Sequence, residues 1–257
     1  MLPVAGLEFG DTVQQARPQC SSVADLYMER AMNKRLDGKR VLITQARDFM
    51  GPALCDVLAE HGAIVLADES PLSAPDAAER VVRAAGSVDI LVVNLAVPVL
   101  VAPAAEVGDD GWRATFAAIV DPLPRLARAL LPAMIARRSG KVLVMSSATA
   151  LRGQSLTSTY CSARGAQLAW AQSAGVELAQ HNVQVNAIAF NFLDNPTYFP
   201  AAKQADPRFQ EKLKREVPLG RMVSAGEGAE FAAYLCSAAA DCFVGQVFPV
   251  CGGWLQR

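Results

Sequence analysis

Three residues in the middle of the chain have the types and the spacing of a proton-transfer site. Ser147 ends an apolar run, Tyr160 follows thirteen residues later, and Arg164 comes four residues after Tyr160. Residues i and i+4 lie on the same face of a helix, so the Arg164 guanidinium can approach the Tyr160 ring. A fixed positive charge lowers the pKa of a phenol from its usual value of about 10. Tyr160 is therefore a candidate general base, with Ser147 hydrogen-bonding the same substrate oxygen.

The same residues also fit a structural role, as a Tyr–Arg stacking pair and a serine that caps a loop. The elements around them favour chemistry. Apolar runs typical of buried strands alternate with helical patterns from about residue 39 to the end, which predicts an α/β fold. We expect a Rossmann-like, doubly wound parallel sheet of six or seven strands. Ligands bind at the carboxyl ends of such strands, at the predicted loops 45–51, 94–99, 146–160 and 189–200.

Composition excludes several classes of function. The chain has 24 Lys and Arg against 25 Asp and Glu, so no strong field would attract nucleic acid or an anionic membrane surface. No apolar run reaches the roughly 18 residues of a membrane span. Six scattered cysteines and two histidines lack the spacing of a metal site, so no metal is expected. Unpaired thiols are typical of a reducing compartment, and we expect a cytoplasmic protein.

The chain divides into two unequal parts. Residues 1–37 contain acids and prolines and lack a continuous apolar block, so we expect a flexible N-terminal extension rather than a secretory signal. Residues 38–257 carry the alternating pattern without an internal linker and are expected to form a single domain.

The turn after the first predicted strand has the outline of a dinucleotide-binding turn without its glycines. Glycine allows the backbone to approach a pyrophosphate, but here Gln45 and Phe49 take two of the three positions and only Gly51 is present. Only 20 residues separate Asp68 from Asp89. A complete dinucleotide-binding half needs another strand and helix there, because a βαβ unit takes about 30 residues. We predict that one strand–helix unit is missing and that no NAD(P) cofactor is bound.

Residues 38–257 resemble the short-chain dehydrogenase/reductase superfamily. The resemblance rests on Ser147 and Tyr160 and on the segments ALLPAM, NVQVNAIA, VPLGR and GQVFPVCGG. In that superfamily the tyrosine is followed four residues later by a lysine that holds the nicotinamide ribose. This chain has Arg164 at that position. The positions at which this chain departs from the superfamily pattern are those that contact the cofactor in other members.

One branch of this superfamily, the halohydrin dehalogenases, resembles this chain at the positions where it departs from the superfamily pattern. It has Ser, Tyr and Arg, an aromatic residue in the first turn, and an aromatic segment after the fifth strand, here FNFLDNPTYFP. The resemblance implies cofactor-independent conversion of vicinal haloalcohols to epoxides. Tyr160 would remove the hydroxyl proton, Arg164 would lower the pKa of Tyr160, and Ser147 would bind the substrate oxygen. It also implies the reverse reaction, epoxide opening by azide, cyanide or nitrite.

The resemblance extends to the pocket and to the assembly. It implies a halide site formed by Phe49, Phe190, Asn191, Phe192 and Leu193, and a substrate pocket bordered by Thr149, Tyr198 and Phe199. Core packing is the alternative role for the phenylalanines of the aromatic segment. The helices predicted near 105–118 and 122–138 match those that pair subunits in the superfamily, which implies a homotetramer or homodimer.

Two other functions stay open. An NAD(P)-dependent oxidoreductase with an atypical cofactor loop would need Arg164 to replace the ribose-binding lysine, although a planar guanidinium does not reproduce a compact ammonium. A non-catalytic relative that has lost its cofactor would be expected to lose Tyr160 and Ser147 as well, and both are present.

Overall fold

The centre of the structure, a computed structural model that describes residues 34–256, is a six-stranded parallel sheet. Its strands are β1 (Arg40–Ile43), β2 (Ile64–Ala67), β3 (Ile90–Asn94), β4 (Gly140–Ser147), β5 (Val183–Phe190) and β6 (Val247–Val250). They lie in the order β2-β1-β3-β4-β5-β6. The change of direction from β1 to β3 places the crevice of a doubly wound sheet at their carboxyl ends.

Helices cover both faces of the sheet. They are α1 (Gly51–Glu60), α2 (Ala77–Ala85), α3 (Asp109–Ile119), α4 (Pro122–Ala136), α5 (Thr149–Arg152), α6 (Ser158–Leu178), α7 (Ala201–Gln204), α8 (Pro207–Glu216) and α9 (Ala225–Cys236). Successive side chains of a strand point to opposite faces of the sheet. Val41 and Ile43 belong to the core cluster beneath α1 and α9, whereas Leu42 belongs to the cluster beneath α2, α4 and α6.

One strand–helix unit is absent between β2 and β3, as predicted for this stretch. Only α2 connects the two strands, and β2 forms the edge of the sheet beside β1. The edge is partly uncovered: Ile64 is 47% exposed, whereas every residue of β3 is buried. The predicted α/β fold with six or seven parallel strands is confirmed, with six strands among the described residues.

The start of the packed domain lies slightly before the predicted boundary. Most of the expected extension, residues 1–37, lies outside the described residues. Among its last four residues, Leu36 is buried and its N–H donates to the carbonyl oxygen of His61 at 3.0 Å. The packed domain therefore includes Leu36.

Within the part of the chain that the structure describes, no helix is long and apolar enough to cross a membrane. Among residues 34–256, no three His, Cys, Asp or Glu side chains lie close enough together to hold a metal ion.

Candidate active site

A cavity of about 340 Å³ opens where β4 and β5 end. This volume lies at the small end of the range of about 300–1,000 Å³ that is usual for small-molecule sites. Ser147 and Phe190, the last residues of the two strands, are direct neighbours in the sheet. The cavity is lined by all the predicted site residues except Arg164, namely Ser147, Tyr160, Thr149, Phe49, Phe190, Asn191, Phe192, Leu193, Tyr198 and Phe199.

Arg164 lies behind Tyr160 on α6 and is completely buried. Its guanidinium carbon is 5.1 Å from the centre of the Tyr160 ring. Its Nη atoms donate to the carbonyl oxygens of Met145 (3.1 Å) and Leu95 (2.8 Å), to Oε1 of Gln167 (3.0 Å) and to the hydroxyl of Tyr198 (3.1 Å). None of these acceptors is a carboxylate. A buried charge without a counter-ion is costly, so this site favours an anion nearby, either a phenolate or a bound ligand.

The pKa of Tyr160 is raised above its usual value, mainly because burial disfavours the phenolate. The Arg164 charge lowers this pKa, which is the direction expected from the spacing, whereas Tyr198 raises it further. The contribution of Arg164 to this pKa thus has the predicted sign, but burial outweighs it. Spacing along a helix predicts a neighbouring cation, but it carries no information about how completely the phenol is removed from water.

Ser147 is oriented by its neighbours beside Tyr160. Its Oγ lies 2.9 Å from Oγ1 of Thr149 and donates to the carbonyl oxygen of Phe190 at 3.2 Å. The backbone N–H of Thr149 donates to the same Oγ at 3.3 Å. The serine hydroxyl is thus held in place at the cavity wall, where it can meet the oxygen of a ligand.

The turn between β1 and α1 keeps the backbone of a glycine-rich turn with other residues in it. Gln45 has φ +46° and Phe49 has φ +51°, both in the left-handed region that favours glycine. Such conformations cost about 1–3 kcal/mol each and persist only when the surroundings stabilise them. Gly51 is required for a different reason, because a Cβ there would collide with the carbonyl group of Ala46.

The side chains of the turn provide this stabilisation. Oε1 of Gln45 accepts a hydrogen bond from the N–H of Ala96 at 2.6 Å. The buried Phe49 ring packs edge-on against Phe190 and Tyr198, with ring centres 6.0 Å and 5.4 Å apart. Both residues therefore fill the opening that a nucleotide-binding turn leaves free.

Two backbone donors of this turn are also in use. The N–H of Phe49 donates to Oγ1 of Thr197 at 2.7 Å, and the N–H of Met50 donates to Oδ1 of Asn94 at 3.3 Å. A pyrophosphate at a helix N-terminus needs such N–H groups for itself. Since the donors are engaged and the Phe49 ring occupies the turn, these residues do not fit the pyrophosphate of a nicotinamide dinucleotide.

A second group of rings flanks the cavity on the side of α8. The centre of the Phe192 ring lies 6.1–6.2 Å from those of Phe199, Phe209 and Trp254. Phe192 and Phe199 therefore pack in the core and also line the cavity. Ring edges carry partial positive charge, and the N–H of Leu193 has no acceptor among the described residues. This wall can accept a weakly hydrated anion.

Several residues of the site were not predicted. Asn94 donates through Nδ2 to the carbonyl oxygens of Gln45 (3.0 Å) and Asp48 (2.9 Å) and so holds the turn. The contact of the Tyr198 hydroxyl with Arg164 was also missed. Asn94 and Tyr198 lie in predicted loops, but no spacing rule connects them to their partners. Lys203 and Lys212, which follow the aromatic segment, line the cavity as well.

A family model described as Enoyl-(Acyl carrier protein) reductase matches residues 31–255. The chain belongs to this family, and thereby to the short-chain dehydrogenase/reductase superfamily. It is 33% identical over 256 residues to a sorbitol dehydrogenase of Cereibacter sphaeroides, a match that covers 86% of this chain and 100% of that protein. This member of the superfamily is thus similar in sequence to an oxidoreductase.

Two solved structures connect the chain with dehalogenation. One described as a dehalogenation enzyme is 32% identical with a TM-score of 0.80, and the match covers 86% of this chain and 100% of that one. A halohydrin dehalogenase bound to ethyl (2S)-oxiran-2-ylacetate is 28% identical with a TM-score of 0.77, covering 85% of this chain and 99% of that one. The predicted superfamily is confirmed, and its relatives include both oxidoreductases and dehalogenases.

Proposed function

We propose that this enzyme of the short-chain dehydrogenase/reductase superfamily is a cofactor-independent halohydrin dehalogenase. It would convert vicinal haloalcohols to epoxides with release of halide and a proton. In the reverse direction it would open epoxides with small anions such as azide, cyanide or nitrite. The two similar dehalogenase structures support this reaction class, and one of them binds an epoxide.

The observation that carries the proposal is the contact between two departures from the superfamily pattern. The Arg164 guanidinium, which replaces the lysine, lies 5.7 Å from the centre of the Phe49 ring, which replaces a turn glycine. An arginine that reaches a phenylalanine inside the former nucleotide space does not hold a ribose. Its charge is instead directed at Tyr160 and Tyr198.

The reaction then needs little beyond a base, alignment and a site for the anion. Tyr160, as the phenolate that the Arg164 charge favours, accepts the hydroxyl proton of the haloalcohol, and the resulting alkoxide attacks the adjacent carbon. The carbon–halogen bond breaks with its electron pair on the halide, so that an epoxide forms and the proton remains on Tyr160 until it is released. Ser147 turns its hydroxyl from the carbonyl oxygen of Phe190 to donate to the reacting oxygen, and intramolecular attack supplies a high effective molarity. Arg164 does not line the cavity and acts through Tyr160.

The halide would leave toward Phe49, Phe190, Asn191, Phe192 and Leu193. The edges of the rings and the N–H of Leu193 suit a large, weakly hydrated anion. Epoxide opening would follow the same path in reverse, with the proton returned from Tyr160 to the ring oxygen.

We also propose that subunits pair through α3 and α4.

A second candidate is an NAD(P)-dependent oxidoreductase of small polyols. The observation that favours it is the 33% identity to a sorbitol dehydrogenase over the whole of that protein. It would need Thr197, Asn94 and Phe49 to move away from the turn before a pyrophosphate could bind.

The test is chloride release from 1,3-dichloro-2-propanol by the purified full chain with no nicotinamide present, together with detection of the epoxide. We expect release that Tyr160→Phe eliminates. Tyr234→Phe is the matched control, because Tyr234 lies outside the cavity lining. Stoichiometric NADPH binding by calorimetry, with no halide released from several vicinal haloalcohols, would contradict the proposal and favour the oxidoreductase.

A further inference from the structure

Two lysines stand at the solvent-exposed rim of the cavity that contains Tyr160. Lys203 lies on α7 and Lys212 on α8, and both are exposed residues that line the cavity. Lys212 is three residues after Phe209, a buried ring of the cavity wall, so the two share one face of α8. The helix that closes the aromatic wall therefore also directs a cation toward the opening.

Lys203 is held at the rim by the cavity residues themselves. Its Nζ donates to the carbonyl oxygen of Tyr198 at 3.0 Å and lies 4.6 Å from the centre of the Phe199 ring. A cation over an aromatic face is attracted by the ring. Both contacts keep the ammonium beside the cavity instead of letting it extend into solvent.

No carboxylate neutralises this pair. Among the described residues neither lysine forms an ion pair, and the cavity lining contains no Asp or Glu. Two nearby acids are engaged elsewhere, since Asp194 accepts from Nε2 of Gln204 at 2.7 Å and Asp206 caps α8 through the N–H of Arg208 at 2.9 Å. Glu211 precedes Lys212 on α8 and is exposed, outside the cavity lining. Partial burial and the charge of Lys212 lower the pKa of Lys203. The rim thus holds two mutually repelling cations that an anion would stabilise.

We infer that the substrate carries a carboxylate, which Lys203 and Lys212 bind while the carbon atoms that react lie at Tyr160; this rests on the proposed function. The substrate class is a short haloalcohol acid, such as a 4-halo-3-hydroxyalkanoate, and the corresponding epoxy acid. The carboxylate takes no part in bond changes. The hydroxyl proton still moves to Tyr160, and the halide still leaves with the electron pair of the carbon–halogen bond.

The test compares 4-chloro-3-hydroxybutanoate with 4-chloro-3-hydroxybutanamide, which have nearly the same shape and differ in charge. We expect the acid to have a kcat/KM at least about tenfold higher than the amide, and this preference to decrease as salt screens the rim. The double variant Lys203→Gln, Lys212→Gln should lower kcat/KM for the acid about tenfold, mainly through KM, and leave the amide unchanged within about twofold. Lys214→Gln is the control, because Lys214 is exposed on α8 outside the cavity lining.

Four results would overturn the inference, and they are distinguishable. Turnover of 1,3-dichloro-2-propanol without any preference for the acid would leave the proposed function intact and refute the carboxylate site. An equal loss for acid and amide in the double variant would mean that the lysines only support the fold. If the variant slows only the azide opening of a neutral epoxide, the lysines act on the free anion. Absence of turnover with every haloalcohol would refute the proposed function and the inference together.

Discussion

Replacing Arg164 with glutamine removes the charge that favours the Tyr160 phenolate. Glutamine retains a hydrogen-bond donor in the buried space, but it is neutral. The guanidinium contacts Tyr160 and Tyr198 from behind the cavity wall, so the substitution leaves the groups that touch the substrate in place.

The size of the expected change in the pKa of Tyr160 follows from the distance between its ring and the Arg164 guanidinium. The guanidinium carbon lies 5.1 Å from the centre of the Tyr160 ring, and at an effective dielectric constant of about 20 two unit charges at that distance attract by about 3 kcal/mol. About 1.4 kcal/mol corresponds to a change of one in pKa. In Arg164→Gln the pKa of Tyr160, already raised by burial, should therefore rise by about 2 more. Below both pKa values, the phenolate fraction and the rate would fall about 100-fold.

The assay is the pH dependence of chloride release from 1,3-dichloro-2-propanol, measured between about pH 6 and pH 10. Arg164→Lys is the matched control, because lysine keeps the charge and loses only the planar fork. It should retain activity within about tenfold of the unmodified protein, with a similar pH profile. Circular dichroism and thermal unfolding establish that both variants fold.

Two outcomes would refute the electrostatic reasoning. One is a folded Arg164→Gln protein whose rate stays within about threefold of the unmodified protein at every pH. The other is equal impairment of Arg164→Lys and Arg164→Gln, which would mean that hydrogen-bond geometry, not charge, is what Arg164 supplies.

Three further predictions concern the turn, the second tyrosine and a helix cap. Asn94→Ala removes three hydrogen bonds from a fully buried side chain and should lower the free energy of unfolding by about 3 kcal/mol in urea titration; a change below about 1 kcal/mol would contradict its role in the turn. Tyr198→Phe should shift the alkaline rise of the pH–rate profile to lower pH, because the Tyr198 hydroxyl raises the pKa of Tyr160; an unchanged profile would argue against this coupling. The hydrogen bond from Arg221 lowers the pKa of Glu227 from 4.5 to about 2, so the stabilisation is fully present above about pH 4.5 and is lost as pH falls through about 2. Glu227→Gln should therefore unfold at a lower temperature than the unmodified protein near neutral pH and at the same temperature below about pH 2, and a difference that persists there would exclude this origin.

Local patterns in the sequence were enough to predict the fold and the proximity of the two candidate catalytic residues Tyr160 and Arg164. The order of apolar runs predicted a parallel sheet of six or seven strands, and the structure has six among the described residues. The 20 residues between Asp68 and Asp89 predicted the missing strand–helix unit. The spacing of Tyr160 and Arg164 placed the guanidinium at the phenol ring. These predictions succeed because strand and helix geometry fixes the distances between residues that are near in the chain.

Only the tertiary structure determines the pKa of Tyr160 and which residues stand at the rim of the cavity. Thr197 caps the N–H of Phe49 from 148 residues away, and Tyr198 reaches Arg164 from 34 residues away. No periodicity connects residues so distant in the chain. The raised pKa of Tyr160 and the cationic rim depend on every atom that surrounds these groups, because desolvation and charge act through space and not along the chain.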